Sequence, residues 1–144
     1  MLDPRLDSSL VALRLAYGLV PILAGLDKFT NLLARWTDYL SPLATRVVPI
    51  APSTFMHLVG VVEIVAGILV LTRYGRYGAY IVSAWLILIA LNLISTGHYF
   101  DVAVRDVVMA IGAFALARLI DVKADVGSRA GNERARSAAA QPAH

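Results

Sequence analysis

Cysteine is absent from this 144-residue chain. Its absence excludes a disulfide framework, a thiolate nucleophile, Cys-ligated zinc and iron–sulfur clusters. Charge is scarce as well, with 16% of residues charged against 58% apolar and a mean hydropathy of +0.69. Counting Gly in place of Tyr, the apolar share is about 61%, where soluble domains sit near 45–50%. Too few polar side chains remain to coat a water-soluble globule of this size, so most soluble classes are excluded. The thirteen basic and ten acidic residues leave a net charge of only +3 and form no basic block, so nucleic acid is not an expected partner. There is also no P-loop, no glycine-rich nucleotide fingerprint and no internal repeat. The solvent this composition suits is a lipid bilayer.

Crossing a bilayer takes roughly 17 to 25 mostly apolar residues, and four segments qualify: 10–26, 54–71, 77–97 and 102–120. The reading is an all-α integral membrane four-helix bundle over residues 1–122. Gly and Ala recur in each span, as close helix packing in membranes favours. The amino terminus reads as a retained anchor, because Asp3 and Asp7 spoil a positive leader region and Arg14 splits the apolar stretch. Between the first two spans, Leu32, Leu33, Trp36, Leu40 and Leu43 recur at helical spacing. They predict a short amphipathic interfacial helix over 31–43, lying across the mouth of the bundle. Residues 123–144 mix Ala, Gly, Ser and alternating charges without apolar periodicity, and are expected to form a disordered cytoplasmic tail.

Four spans put both termini on one side. That side carries Arg5, Arg73, Arg76, Arg118, Lys123, Arg129, Arg134 and Arg136, against Lys28, Arg35, Arg46 and Arg105 on the other. Cytoplasmic lysine and arginine excess therefore orients both termini inward.

Ionisable groups at membrane depth are costly and face the bundle interior, so they are the first place to look for function. On the first helix Arg14, Gly18, Pro21, Gly25 and Lys28 form one stripe; on the second Gly60, Glu63 and Gly67 share a face. Asp27, Lys28, His57, Asn92, His98, Asp101, Arg105 and Asp106 gather in the outer half, with Glu63 at their floor. Glu63 near the midplane needs a partner or must stay neutral. Arg14 is the first partner the spacing suggests, with Lys28 or Arg105 as alternatives. Arg105 with Asp101, and Lys28 with Asp27 or Asp106, also read as plain neutralising pairs at helix ends. The ligand-binding candidates are Arg14, Lys28, Glu63, Asn92, His98, Arg105 and Asp106, with Glu63 as candidate proton relay. His57 and His98 lack a ligand pair at helical spacing, so no metal site is expected.

Arg14-x3-Gly18, Ala24-Gly25-x2-Lys28, Gly60-x2-Glu63-x3-Gly67 and Arg105-Asp106 together resemble the DoxX family, over about residues 10–119. The resemblance implies a small four-helix membrane protein. It carries a polar set at Arg14, Lys28, Glu63, Arg105 and Asp106. The family takes its name from a membrane subunit of a thiosulfate:quinone oxidoreductase, so the resemblance implies a redox-enzyme partner subunit and quinone as the cofactor-like ligand. With no flavin, haem or nicotinamide motif, any catalysis would be shared with that partner. Two other classes fit the same residues. One is a non-catalytic scaffold whose buried ions fix the fold; the other is a small proton-coupled transporter, which would have to be a homo-oligomer to enclose a path.

Overall fold

The computed structural model describes residues 4–139, all-helical apart from short connections. Its elements in chain order are α1 (Pro4–Thr30), a 3₁₀ turn (Trp36–Tyr39), α2 (Pro42–Val47), α3 (Pro52–Leu71), α4 (Gly75–Ser95) and α5 (Phe100–Ala139). Each of α1, α3 and α4 is long and apolar enough to cross a membrane. In α5 the membrane-length stretch carries Arg105, Asp106 and Arg118 in addition to its apolar residues. The chain is an integral membrane protein built as a bundle of four long helices.

The bundle consists of two tight antiparallel pairs, α1 with α3 and α4 with α5. Glycine sets the closeness of the first pair. A methyl group on Gly25 would lie 2.5 Å from the Gly60 carbonyl oxygen, and one on Gly60 would lie 2.6 Å from that of Gly25. Gly67 meets the Gly18 carbonyl in the same way two turns along. Backbone thus packs directly on backbone, the arrangement small residues permit between membrane helices.

The two pairs hold each other at the end where α3 turns into α4. There Gly78 nests against the Leu69–Val70 backbone and Gly112 accommodates the Tyr17 hydroxyl. The main core, including Leu10, Ala66, Val70, Ala79, Val82 and Leu116, lies in that half. At the opposite end the second core cluster, Ala90, Leu93 and Ala103, belongs to α4 and α5 alone. The pairs therefore splay there, and the 31–51 connection covers the opening.

That connection departs from the helix expected over 31–43. Its first amides are taken by a side chain: Asp27 Oδ1 accepts from Leu32 N at 2.9 Å and from Leu33 N at 3.1 Å. Asn31, at φ 52°, ends α1 in the left-handed conformation, donating its N–H to the Asp27 carbonyl at 2.7 Å. Helix resumes as α2 because Ser41 caps it by accepting from Leu43 N and Ala44 N, with Pro42 at the first position.

The segment expected as a disordered tail also differs. α5 continues unbroken to Ala139 with its last two dozen residues largely exposed. Ala, Arg and Glu are strong helix formers and carry the turn onward without tertiary support. Residues 140–144 of that segment, and residues 1–3, lie outside the described residues.

Replacing Gly60 by Leu should force α1 and α3 apart. Overpacking of this kind costs about 1–3 kcal/mol, so the variant should unfold at lower temperature in detergent than wild type. Gly127→Leu, where nothing lies within 4 Å, should be neutral or stabilising.

Candidate functional site

The splay encloses a cavity of about 990 Å³, lined by α1, α3, α4, α5 and the connection. Most of the wall is apolar, including Val59, Ala66, Leu86, Ile89 and Met109. Four ionised groups join it: Lys28, Glu63, Arg105 and Asp106.

Lys28 and Glu63 form the floor. Lys28 Nζ lies 2.6 Å from Glu63 Oε2, with the two side chains 4% and 7% exposed. The lysine stem crosses Gly60, whose missing side chain makes the passage, since a methyl there would stand 3.2 Å from Lys28 Cβ. A buried pair of this kind is held because removing one partner strands the other charge, at a cost of about 3–5 kcal/mol. Lys28 Nζ also sits 3.7 Å from the centre of the Trp36 ring, a cation–π contact. The same indole donates Nε1–H to Asp27 Oδ2 at 2.7 Å. Adjacent residues at the end of α1 therefore hold Trp36 by its face and by its edge.

Arg105 and Asp106 pair at the rim. Arg105 Nη2 lies 3.2 Å from Asp106 Oδ1, with the arginine side chain 64% exposed and the aspartate 6%. Arg105 therefore bonds its neighbour rather than Asp101. Asp106 is also within electrostatic range of both Lys28 and Glu63. The quartet carries two positive and two negative charges, so the cavity wall is polar at one end and close to neutral overall.

Asn92 works as a clamp: its Oδ1 accepts from Ser41 N at 3.1 Å and its Nδ2 donates to the Tyr39 carbonyl at 2.8 Å. It fixes the connection over the cavity while lining it. His98 is exposed, edge-on to Tyr99, and is not part of the cavity wall. His57 stacks on Phe29 at 4.9 Å.

Arg14 is not brought to Glu63. It lies at the opposite end, where Nε donates to the Val70 carbonyl at 2.7 Å and Nη2 to the Thr72 carbonyl. The Val70 carbonyl is among those α3 leaves unpaired at its C-terminus, while the Thr72 carbonyl, at the cap, also accepts from Gly75 N; a cation here meets the negative end of the helix dipole. Its side chain tilts toward the start of α1, as helical side chains do, which carries it away from Glu63.

Trp85 was not among the residues that sequence reasoning selected. It sits two turns before Asn92 on the same face of α4 and lines the cavity. Its buried Nε1–H faces the Glu63 carboxylate, outside ideal hydrogen-bond geometry but close enough to act on it. A buried donor held this loosely can also serve a second acceptor in the cavity. Only its heptad spacing from Asn92 marked it in advance.

A family model described as DoxX matches residues 9–98. The chain belongs to the DoxX family. Comparisons with curated proteins and with solved structures return no match. The matched region holds Arg14, Lys28, Glu63, Asn92 and His98, and it ends before Arg105 and Asp106. In this DoxX protein the rim pair is therefore placed by the packing of α5 against α4, outside the family match.

Lys28→Met alone should destabilise the protein by about 3–5 kcal/mol, and adding Glu63→Gln should recover most of that loss. Arg14→Met should cost about 1–3 kcal/mol by orphaning the Val70 carbonyl. Being remote, it should add to Lys28→Met within about 0.5 kcal/mol. Unfolding of the variants in detergent checks all three; strong coupling between Arg14 and Lys28 would contradict the two-ended arrangement.

Proposed function

We propose that this DoxX protein binds a small apolar molecule with a hydrogen-bond-accepting head in the cavity between its helix pairs, and serves a membrane oxidoreductase as a quinone-linked subunit. The observation that carries the proposal is the buried Lys28–Glu63 pair, with the Trp85 N–H beside it, at the floor of a mostly apolar cavity. Pockets of this kind use a few polar groups to orient a ligand whose body is held by apolar walls.

The residues fit a quinone. Its carbonyl oxygens accept hydrogen bonds, and Trp85, Lys28 and Arg105 are donors. A bound quinone would supply the electron-accepting chemistry, which this chain's side chains lack. Glu63 is the group suited to hold a proton next to such a head, since it already shares a short contact with the Lys28 ammonium. Trp36 covers Lys28 and limits water at the floor. Catalysis is shared: the chain carries no flavin, haem or nicotinamide motif, so a partner subunit delivers the electrons.

Under this proposal the cavity opens in the outer leaflet of a bacterial inner membrane, with both termini cytoplasmic. The basic residues at the closed end of the bundle, among them Arg73, Arg76, Arg118 and Lys123, support that orientation.

Purification of the native protein in mild detergent, followed by extraction and mass analysis of bound lipids and partner subunits, should yield a quinone and a redox subunit in stoichiometric amounts. Glu63→Gln should retain quinone while lowering the electron-transfer rate of the complex by about 10²-fold or more, the scale of a lost general acid or base. Recovery of neither quinone nor redox partner would refute the proposal.

A further inference from the structure

We infer that the cavity is loaded sideways from the bilayer, through a slot between α1 and α5, and that its ligand is accordingly a lipid-borne amphiphile rather than a water-soluble molecule. The inference rests on the reading that the cavity binds an apolar-bodied ligand with an accepting head.

The slot follows from the splay of the two helix pairs. α1 packs along α3, and α5 packs along α4, but α1 and α5 touch little. Their contacts lie toward the closed end, where Lys123 Nζ meets Asp7 Oδ1 at 2.8 Å and Gly112 abuts Tyr17. Tyr17 thus forms the sill. Above it, Val20 and Ala24 on α1 and Arg105 and Met109 on α5 all line the cavity, so the wall here consists of the slot's own two edges. Val20 is about half exposed while lining the cavity.

The other lateral seam, between α3 and α4, is occupied: α2 packs on α4, the 3₁₀ turn packs on α3, Leu43, Ala44 and Val47 of α2 and Val48 after it line the cavity, and Asn92 pins Ser41 and Tyr39 in place. The end facing water is covered by the connection, which Asp27 anchors through four donors: Thr30 Oγ1, Leu32 N, Leu33 N and Trp36 Nε1. Both alternatives are tied down by side-chain hydrogen bonds; among the described residues no hydrogen bond bridges α1 and α5 above Tyr17, where the charge attraction between Lys28 and Asp106 acts across the gap.

Arg105 supplies the chemistry of the rim. Its guanidinium is paired on one side by Asp106 and otherwise exposed, on a helix whose neighbouring outward residues, Val104 and Val108, are apolar. An arginine at this height reaches the head-group zone while its stem stays in hydrocarbon. A ligand sliding in from the leaflet passes it head first, and a long tail can stay in the slot among the acyl chains.

The chain has only two Trp, and both line the cavity, so intrinsic fluorescence reports on it. In phosphatidylcholine vesicles whose acyl chains carry bromine, the Trp36→Phe protein should show strong quenching of Trp85. Aqueous iodide should leave Trp85 bright. Ala24→Phe, which narrows the slot, should at least halve the bromolipid quenching, whereas Ala44→Phe on the α2 side should not. Should Trp36→Phe fail to fold, the wild-type protein with its two cavity indoles gives the same comparison. Iodide quenching of Trp85, or bromolipid quenching indifferent to Ala24→Phe, would overturn the slot. Titration of decylubiquinone into the protein in detergent tests the underlying reading apart from the route: saturable quenching supports it, and its absence overturns it whatever the vesicles show.

Discussion

Lys28 and Glu63, buried together 2.6 Å apart between α1 and α3, set the conditions for the residues around them. Neither charge has water to fall back on, so the helices must approach closely enough for the two groups to touch. Gly25 and Gly60 permit that approach because their backbones meet without side chains between them. The lysine stem uses the space over Gly60, and Trp36 closes over the ammonium. Holding Trp36 in turn requires Asp27, which also takes the first amides of the connection and so decides where its helix can begin. One ion pair thus links helix packing, the course of the connection and the floor of the cavity.

The remaining charges divide by location into two kinds of work. At the closed end, Arg14 satisfies the Val70 carbonyl, which α3 cannot pair for itself, and so strengthens the junction from which the helix pairs diverge. At the open end, Arg105 and Asp106 stand at a rim, one group exposed and the other buried. A cation capping a helix inside the bundle and a cation facing the head groups answer different needs, though a hydropathy profile registers both as interruptions.

The four long helices were legible in the sequence because apolar length is a direct reading of bilayer thickness. The inward set at Lys28, Glu63 and Asp106 was legible because charge at depth is expensive wherever it falls, whereas Arg105, expected among them, stands exposed at the rim. Pairing was harder to read. Arg14 and Glu63 look like partners by type and depth, but Cβ tilt separates them, and Lys28 reaches Glu63 only because Gly60 leaves a path. The helix expected over 31–43 failed for a local reason: Asp27 captures the amides of Leu32 and Leu33, a competition that apolar spacing does not show. Trp85 passed unnoticed because an indole in an apolar span ordinarily reads as packing, and the place of its N–H beside Glu63 exists only in three dimensions. The persistence of α5 to Ala139 reflects helix propensity, where composition had pointed to disorder.

That persistence has a mechanical side. Arg105 and the exposed C-terminal stretch of α5 belong to one unbroken rod, resting on Tyr17 at Gly112. Beyond that fulcrum the helix is an arm of roughly 40 Å at about 1.5 Å per residue, so a tilt of about 5° that opened the slot would swing its far end by about 3.5 Å. The state of a cavity at one end of the bundle is thereby legible as a displacement at the far end of α5.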